Sequence, residues 1–456
     1  MTGDVRQQAH DGAIPDGARF VQGLLDAESR PVPSVLRATS FVDMGDSDIP
    51  RERYISQEIH DLEVEKVWGR AWQVACREEE IPDEGDIWVH EIAGTSLIVL
   101  RTAGGLKAFY NSCLHRGTQL RTSSGNASEL RCPFHGFTWN LDGTFRGMPC
   151  EWDFPHIDRA DFGLPQIRTA SWGGFVFVNL DPDAQPLDTY LEVLPEHFSA
   201  WPLEDRYTSA HVMRELPCNW KVALEAFIES YHTVAVHPQL LKTSGDAQTE
   251  YDVYPGIAHI NRMITPVGVA STHRHDVSEQ QIVDAMFVTR DDPDAKLAEG
   301  QSARGLLADR KRRELGEKTG GDFSELTDCE ALDAIEYFCF PNFVPWAGYT
   351  TPLAYRFRPF GNDVSRSIMD VWILDPLPFD KPRPRATVCR RLGAEQSWAD
   401  APELGFLGPI LDQDTQTLVM IERGLETSRK QGVTLARYQE SRIRHFHQTL
   451  GHYLSR

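Results

Sequence analysis

The sequence predicts an α+β protein in two parts, a small antiparallel β domain followed by a larger mixed domain. Three observations predict it. Between about Trp68 and Ile167, short apolar runs alternate with turn signals. From Ser171 onward, strand-sized apolar runs alternate with segments of helical period. The 456 residues are about three times a common domain length of roughly 150.

Residues 1–50 are polar and turn-rich, with Pro15, Pro31, Pro33 and Pro50, and read as an arm carrying one short helix at Ala18–Glu28. A helix at Ser56–Val67 flanks the β domain, which spans 51–170. Its expected strands are Ile87–Ile92, Ser96–Arg101, Leu106–Tyr110 and Thr138–Asn140, separated at breaks such as Ala103-Gly104-Gly105 and Asp142-Gly143. The larger domain, 171–456, opens with a strand at Ser171–Leu180 and a helix at Leu187–Phe198. A second helix is expected over Trp220–Val236. Residues 239–335 read as a long charged insertion, helical over Asp294–Lys318 up to Gly320-Gly321. The capping box Thr327-Asp328-Cys329-Glu330 opens a further helix. Strands are expected at Thr351–Phe357 and Ser367–Ile373, and helices at Gly405–Gly424 and Ser441–Leu454.

Lys plus Arg number 46 against 67 Asp plus Glu, a formal net charge of −21. That balance repels nucleic acid and anionic membranes. No run of about 20 apolar residues suggests a transmembrane helix. The first eight residues lack the apolar core of a secretory signal, so a cytoplasmic protein is expected. Eight scattered cysteines do not form a disulfide framework. Six of them, at 76, 150, 218, 329, 339 and 389, read as small buried hydrophobes.

Cys113 and Cys132 differ, because each has a histidine at ligand spacing. The chain reads Cys113-Leu114-His115-Arg116-Gly117 and then Cys132-Pro133-Phe134-His135. Two thiolates and two imidazoles are the ligand set of a Rieske-type [2Fe–2S] cluster. Sixteen residues separate His115 from Cys132, enough for the two loops to face each other. A structural zinc site is the competing reading, but zinc sites usually open with a Cys-x₂₋₄-Cys knuckle, which this pair lacks. Lys107, Arg116, Arg121, Arg131 and Arg146 outnumber Glu129 and Asp142 here and suggest a docking patch for an acidic electron donor.

A second constellation is Glu229-Ser230-Tyr231-His232 followed by His237-Pro238. Two histidines and one carboxylate on one face of an iron leave positions open for O₂ and substrate. On a regular helix, His232 and His237 would point about 140° apart, at about 100° per residue. Either the helix ends near Val236, aided by Pro238, or it carries a π-type bulge. Glu229 shares a face with His232 and can orient it. Asp412 and Asp414 are the candidates for the third ligand, with an exposed helix-start residue as the bland alternative for either. His273 and His275 read as solvated, and His445 and His447 as packed on a terminal helix.

At these residues the sequence resembles the large (α) subunits of Rieske non-haem iron ring-hydroxylating oxygenases, from about residue 50 to the C-terminus. Asn219-Trp220-Lys221, Glu225 and Phe340-Pro341-Asn342 add to the likeness. The resemblance implies that Cys113, His115, Cys132 and His135 hold the cluster, and that His232, His237 and Asp414 hold a mononuclear Fe(II). Glu229 falls where the family keeps the acid linking cluster and iron between neighbouring subunits. Many ring dioxygenases have Asp there. Glu resembles a branch that includes monooxygenases and enzymes acting on quaternary amines. The family's fold is a β Rieske domain plus a curved antiparallel sheet around a long helix (helix-grip, START-like), usually in homotrimers, with a β subunit in some members.

The expected function is the terminal oxygenase of a multicomponent system, hydroxylating an aromatic or alicyclic compound with O₂, as in aromatic hydrocarbon catabolism. Electrons are expected to pass through His135 and Glu229 to His232. No Gly-x-Gly-x-x-Gly signature accompanies these motifs, so a separate NAD(P)H-dependent reductase or ferredoxin is implied. Phe227, Phe338, Phe340, Phe343, Trp346 and Tyr349 are candidate pocket residues. The rival readings are a monooxygenase or O/N-demethylase, including quaternary amine oxidation, a non-catalytic Rieske electron carrier, and a zinc-stabilised binding protein.

Overall fold

The structure is a computed structural model that describes residues 15–287 and 295–456. The leader reading of the first eight residues, and Asp294 at the start of an expected helix, fall outside the described residues.

The arm carries its helix at Asp16–Asp26, and after the single turn Glu52–Ile55 Ser56 caps helix Gln57–Glu63 by accepting from the Ile59 N–H. A seven-stranded antiparallel sheet follows. Its spatial order is Gln73–Arg77, Phe175–Asn179, Gln166–Trp172, Gly105–Tyr110, Thr95–Thr102, Asp86–Ile92 and Gly125–Asn126. The strand expected at Ser171–Leu180 is in fact a hairpin. Gly173 and Gly174, at φ of 60° and 74°, turn the chain between Trp172 and Phe175. Two consecutive left-handed residues make the tight turn whose twist matches its flanking strands. A three-stranded sheet of Leu130–Arg131, Thr138–Trp139 and Phe145–Gly147 carries the second Cys/His loop.

The second domain is built on an eight-stranded sheet. Its order is Glu250–Val253, Ile260–Thr265, Ala334–Cys339, Phe343–Ala347, Leu353–Phe360, Asp363–Pro376, Arg206–Leu216 and Arg390–Leu392. Every pairing is antiparallel except the last. The first two strands lie inside the stretch read as an insertion, so residues 239–335 also build the sheet edge. Helices Glu279–Met286, Ala303–Thr319 and Asp328–Leu332 form the added part, with a small core of their own around Val283, Leu307 and Leu332. The expected helix Leu187–Phe198 is two single turns, Leu187–Tyr190 and Leu194–His197, broken where Glu192 takes a φ of 50°.

Helix Trp220–Glu225 lies on strands Leu353–Phe360 and Asp363–Pro376, and the 21-residue helix Leu407–Thr427 packs against it. The short strand Ile49–Pro50 pairs with Gly432–Val433, which joins the arm to the segment that follows helix Leu407–Thr427. Among the described residues, no helix is long and apolar enough to cross a membrane. Four of the six non-motif cysteines are buried, as expected, but Cys150 is exposed and Cys389 half-buried.

Buried charge ties the domains together. His211 donates Nδ1–H to Glu80 (2.9 Å) and Nε2–H to Asp370 (3.1 Å), sandwiched between Trp88 and Trp372. Burial disfavours its charged form, but the two carboxylates outweigh burial and hold its pKa well above the ordinary value. Arg356 reaches from the larger sheet to the carbonyls of Val74 and Ala75 (2.8 and 2.7 Å). Behind the second helix, Lys221 pairs with Glu63 at 2.8 Å, both fully buried, and Trp220 donates to the same carboxylate. A lone buried ion is costly, so Lys221→Met is expected to destabilise the fold by about 3–5 kcal/mol in urea unfolding. Pairing it with Glu63→Gln should recover much of that loss, and equal loss in the single and double variants would refute this account.

Candidate functional site

The two Cys/His loops are built alike. Cys113 N–H donates to Thr118 O and Cys132 N–H to Phe137 O, both at 2.8 Å. Gly117 N–H closes on Cys113 O and Gly136 N–H on Cys132 O, at 2.8 and 3.0 Å. Both glycines sit at φ of 75°, a conformation that disfavours a side chain. Both thiols are buried within the domain core, and the rings of His115 and His135 lie 4.8 Å apart. His115 stacks on Phe137 with centroids 4.5 Å apart, which fixes its orientation, while His135 is exposed. Sulfurs inside and imidazoles outside suit a cluster that exchanges electrons through its histidines. Around it, Arg146 is engaged by Glu129 at 2.5 Å, Lys107 donates to Gln166, and Arg116 lies over exposed Phe134.

The second constellation converges because its helix does not run through. Asn219 caps it by accepting from the Lys221 N–H at 2.9 Å, and the helix ends at Glu225 rather than Val236. A single turn, Thr233–Val236, follows, and His237 leaves helical geometry at φ −123° and ψ 55°. Neither option open from sequence is observed as stated: the regular helix stops at Glu225, the chain is broken across 226–232, and only the separate turn Thr233–Val236 ends where the first option put the helix end.

Side chains then fix both rings. Glu229 Oε1 lies 2.7 Å from His232 Nδ1, and its Oε2 accepts the His232 N–H at 3.0 Å. Gln413 Oε1 lies 2.9 Å from His237 Nδ1. An oxygen at each Nδ1 assigns the proton there and leaves Nε2 free to ligate. Both Nε2 atoms face Asp414 Oδ1, at 2.8 Å from His237 and 3.6 Å from His232. Ligand atoms of His232, His237 and Asp414 all lie within 4.8 Å of one another, the one such trio of His, Cys, Asp or Glu among the described residues. The donor set fits iron held on one face by two imidazoles and a carboxylate.

Asp414 lies mid-helix, on the buried stripe of Leu411 and Leu418, so neither aspartate is a helix-start residue. Asp412 is occupied elsewhere. It accepts from the Trp398 and Ala399 N–H groups and pairs with Arg214 at 3.0 Å. Gln413 is a site residue that sequence reasoning missed, since nothing local marks an amide as an orienting group. His273 and His275 are exposed, while His445 and His447 are buried on the terminal helix, as expected.

The cavity beside the trio holds about 180 Å³ and is lined mainly by aliphatic side chains, among them Val222, Val236, Leu418 and Ile443. The aromatic lining expected from sequence is not found. Phe338, Phe340 and Phe343 are core residues, Phe227 packs on Tyr355 and Phe357, and neither Trp346 nor Tyr349 reaches the cavity. Glu225 and Glu440 line it beside Glu229. Burial pushes the Glu225 carboxyl up to about 8 and Glu440 to about 7, and the neighbouring carboxylates add to both shifts. Tyr54 OH and His447 Nε2 hold Glu225 at 3.1 and 2.8 Å. Arg53, which can only donate, occupies His447 Nδ1, so the His447 proton sits on Nε2 and points at Glu225.

Residues 196–456 match the family model of the ring hydroxylating α subunit (catalytic domain), and residues 71–158 match that of the Rieske [2Fe-2S] domain. The chain is 31% identical over 199 residues to a glycine betaine monooxygenase oxygenase subunit of Pseudomonas aeruginosa, covering 43% of this chain and 46% of that protein. It is 32% identical over 195 residues to a carnitine monooxygenase oxygenase subunit of Escherichia coli, covering 42% and 52%. Against the biphenyl 2,3-dioxygenase α subunit of Rhodococcus jostii it is 31% identical over 198 residues, covering 39% and 41%. The matches thus span about half the length of these curated relatives. Among solved structures, a quaternary ammonium Rieske monooxygenase superposes with a TM-score of 0.64 at 18% identity, covering 89% of this chain and 95% of that one. Naphthalene 1,2-dioxygenase with phenanthrene bound gives 0.63 at 17%, covering 91% and 94%.

Asp414→Asn is expected to cost the mononuclear iron while the cluster's visible spectrum persists. Asp412→Asn should keep that iron and lower the melting temperature instead. Iron analysis with optical spectra checks both, and the reverse pattern would reassign the ligand.

Proposed function

The chain belongs to the family of ring-hydroxylating oxygenase α subunits, and from that premise we infer that it is a terminal oxygenase acting on a compact substrate with a cationic nitrogen. The chain pairs a Rieske [2Fe–2S] domain with a catalytic domain whose mononuclear iron site is His232, His237 and Asp414. When bound, these groups supply one-electron transfer and the reductive cleavage of O₂. Cys113, His115, Cys132 and His135 would hold the cluster, a separate reductase or ferredoxin would supply the electrons, and a monooxygenation would place one oxygen atom in the substrate and release the other as water.

The chain's own residues set the rest. Glu229 and Gln413 keep each imidazole proton on Nδ1, so both rings stay aimed at one point. Glu229 borders the iron cavity and touches His232, which suits it to hand electrons over from His135 of a neighbouring copy in a trimer. The observation that carries the substrate reading is the acidic wall. Glu225, Glu229 and Glu440 border one small aliphatic cavity; burial first, and the neighbouring carboxylates second, hold Glu225 and Glu440 back from ionising, and a cation placed there favours their charged forms. The betaine and carnitine monooxygenase relatives support the same reading. The aliphatic lining and the biphenyl dioxygenase relative favour the second reading, an aromatic or alicyclic hydroxylation.

Because Glu440 and Glu225 are pushed up to about 7 and about 8, the pH dependence of binding separates the two readings. As pH rises through that range both carboxyls ionise, so KM for a trimethylammonium or N-methyl amine substrate should fall, while KM for a neutral aromatic should not. A flat KM for every amine accepted would remove the cationic reading. Label from ¹⁸O₂ should appear once in the product, and two labelled oxygens would mark a dioxygenase. Glu229→Gln is expected to leave the cluster spectrum intact and slow reoxidation of the reduced cluster roughly tenfold or more, about 1.4 kcal/mol or more of barrier. Unchanged single-turnover kinetics would take the hand-over role away from Glu229.

A further inference from the structure

A separate cavity of about 300 Å³ lies on the seam between the two domains, walled by Trp88, Ile92, Met213 and Phe360. His90, Arg358 and Arg391 line the same space. The charges around it do not balance. Arg356, Arg358 and doubly hydrogen-bonded His211 converge on only two carboxylates, Asp370 and Glu80. Asp370 is already held by Arg356 at 2.9 Å and by His211 at 3.1 Å, whereas Arg358 Nε is 3.5 Å away. The remaining Arg358 bonds go to Glu91 O (2.8 Å) and to Met213 Sδ (3.3 Å), both uncharged acceptors. The Glu91 carboxylate is exposed and is taken by the Ser96 hydroxyl at 2.6 Å.

Two buried nitrogens beside the cavity, His90 Nε2 and Arg358 Nε, find no hydrogen-bond partner among the described residues. Both side chains belong to residues at most 5% exposed. A buried, imperfectly paired guanidinium beside an unpartnered imidazole is an expensive arrangement unless an anion completes it. Exposed Arg391 adds a second cation at the mouth.

We propose that this seam cavity is a binding site for a small organic carboxylate, its anionic end between Arg358, Arg391 and His90 and its apolar body against Trp88, Met213 and Phe360. Charge-assisted hydrogen bonds to guanidinium hold a carboxylate far better than a neutral group. The apolar walls disfavour a strongly hydrated inorganic anion such as sulfate. The site is separate from the iron cavity, and no residue lines both.

The holoenzyme soaked with 4-bromobenzoate should show an anomalous bromine peak in the seam cavity. By calorimetry, Arg391→Ala should bind 4-bromobenzoate roughly tenfold more weakly, the worth of one charge-assisted contact. Arg391 is exposed, so this variant keeps the fold, whereas Arg358→Met tests the buried end and is read only alongside a native-like cluster spectrum. Neutral 4-bromobenzyl alcohol should not occupy the seam. A bromine peak confined to the iron cavity, equal occupancy by the alcohol, or undiminished affinity in Arg391→Ala would each overturn the proposal.

Discussion

The hydrogen bond at each imidazole Nδ1 is the interaction on which the catalytic half of the molecule depends. A neutral histidine offers one lone pair, and an acceptor at Nδ1 decides that it sits on Nε2. Here the acceptors come from different places. Glu229 precedes His232 by three residues in the same broken stretch, whereas Gln413 reaches His237 from the long helix Leu407–Thr427. That same helix delivers Asp414 one residue later. One rigid element therefore supplies both the carboxylate and the orientation of the second imidazole, and the broken chain across 226–237 brings the two rings to it.

That arrangement needs the chain between the histidines to bend. Had the helix continued from Trp220 past Val236, the two imidazoles would diverge by about 140° and could not face one point. The break across 226–232 turns the rings together. Its cost is offset behind the site by the capped start at Asn219 and the buried Lys221–Glu63 pair, which anchor the helix where it is regular.

Much of this was legible from residue types and spacing. Cys-x-His and Cys-x₂-His with a glycine four residues after each cysteine determine two matching loops, and the structure builds both with the same pair of backbone bonds. What was illegible depends on distant partners. Apolar spacing continues through Ile228, so the local pattern predicts a helix that runs on past Glu225. Strand Arg206–Leu216 went unassigned because its buried arginines and histidine look like surface residues until Asp412, Glu80 and Asp370 are placed beside them. The choice between Asp412 and Asp414 rests on which helix face is covered, and Asp412 turned out to cap the turn at Trp398. Gly173-Gly174 is a different case, since its turn signal was present in the sequence and overridden by the apolar run around it.

The pairing of Ile49–Pro50 with Gly432–Val433 has a consequence for handling the protein. Val433 and Leu435 line the iron cavity, and Tyr54, four residues past the N-terminal strand, grips Glu225 from the other side. The arm thus pins two segments, around Tyr54 and around Val433, that form part of the wall around the reacting molecule. Fusions, tags or trimmed variants that disturb it would alter which compounds are accepted, and libraries aimed at new selectivity have as much reason to vary this segment as the residues around the metal.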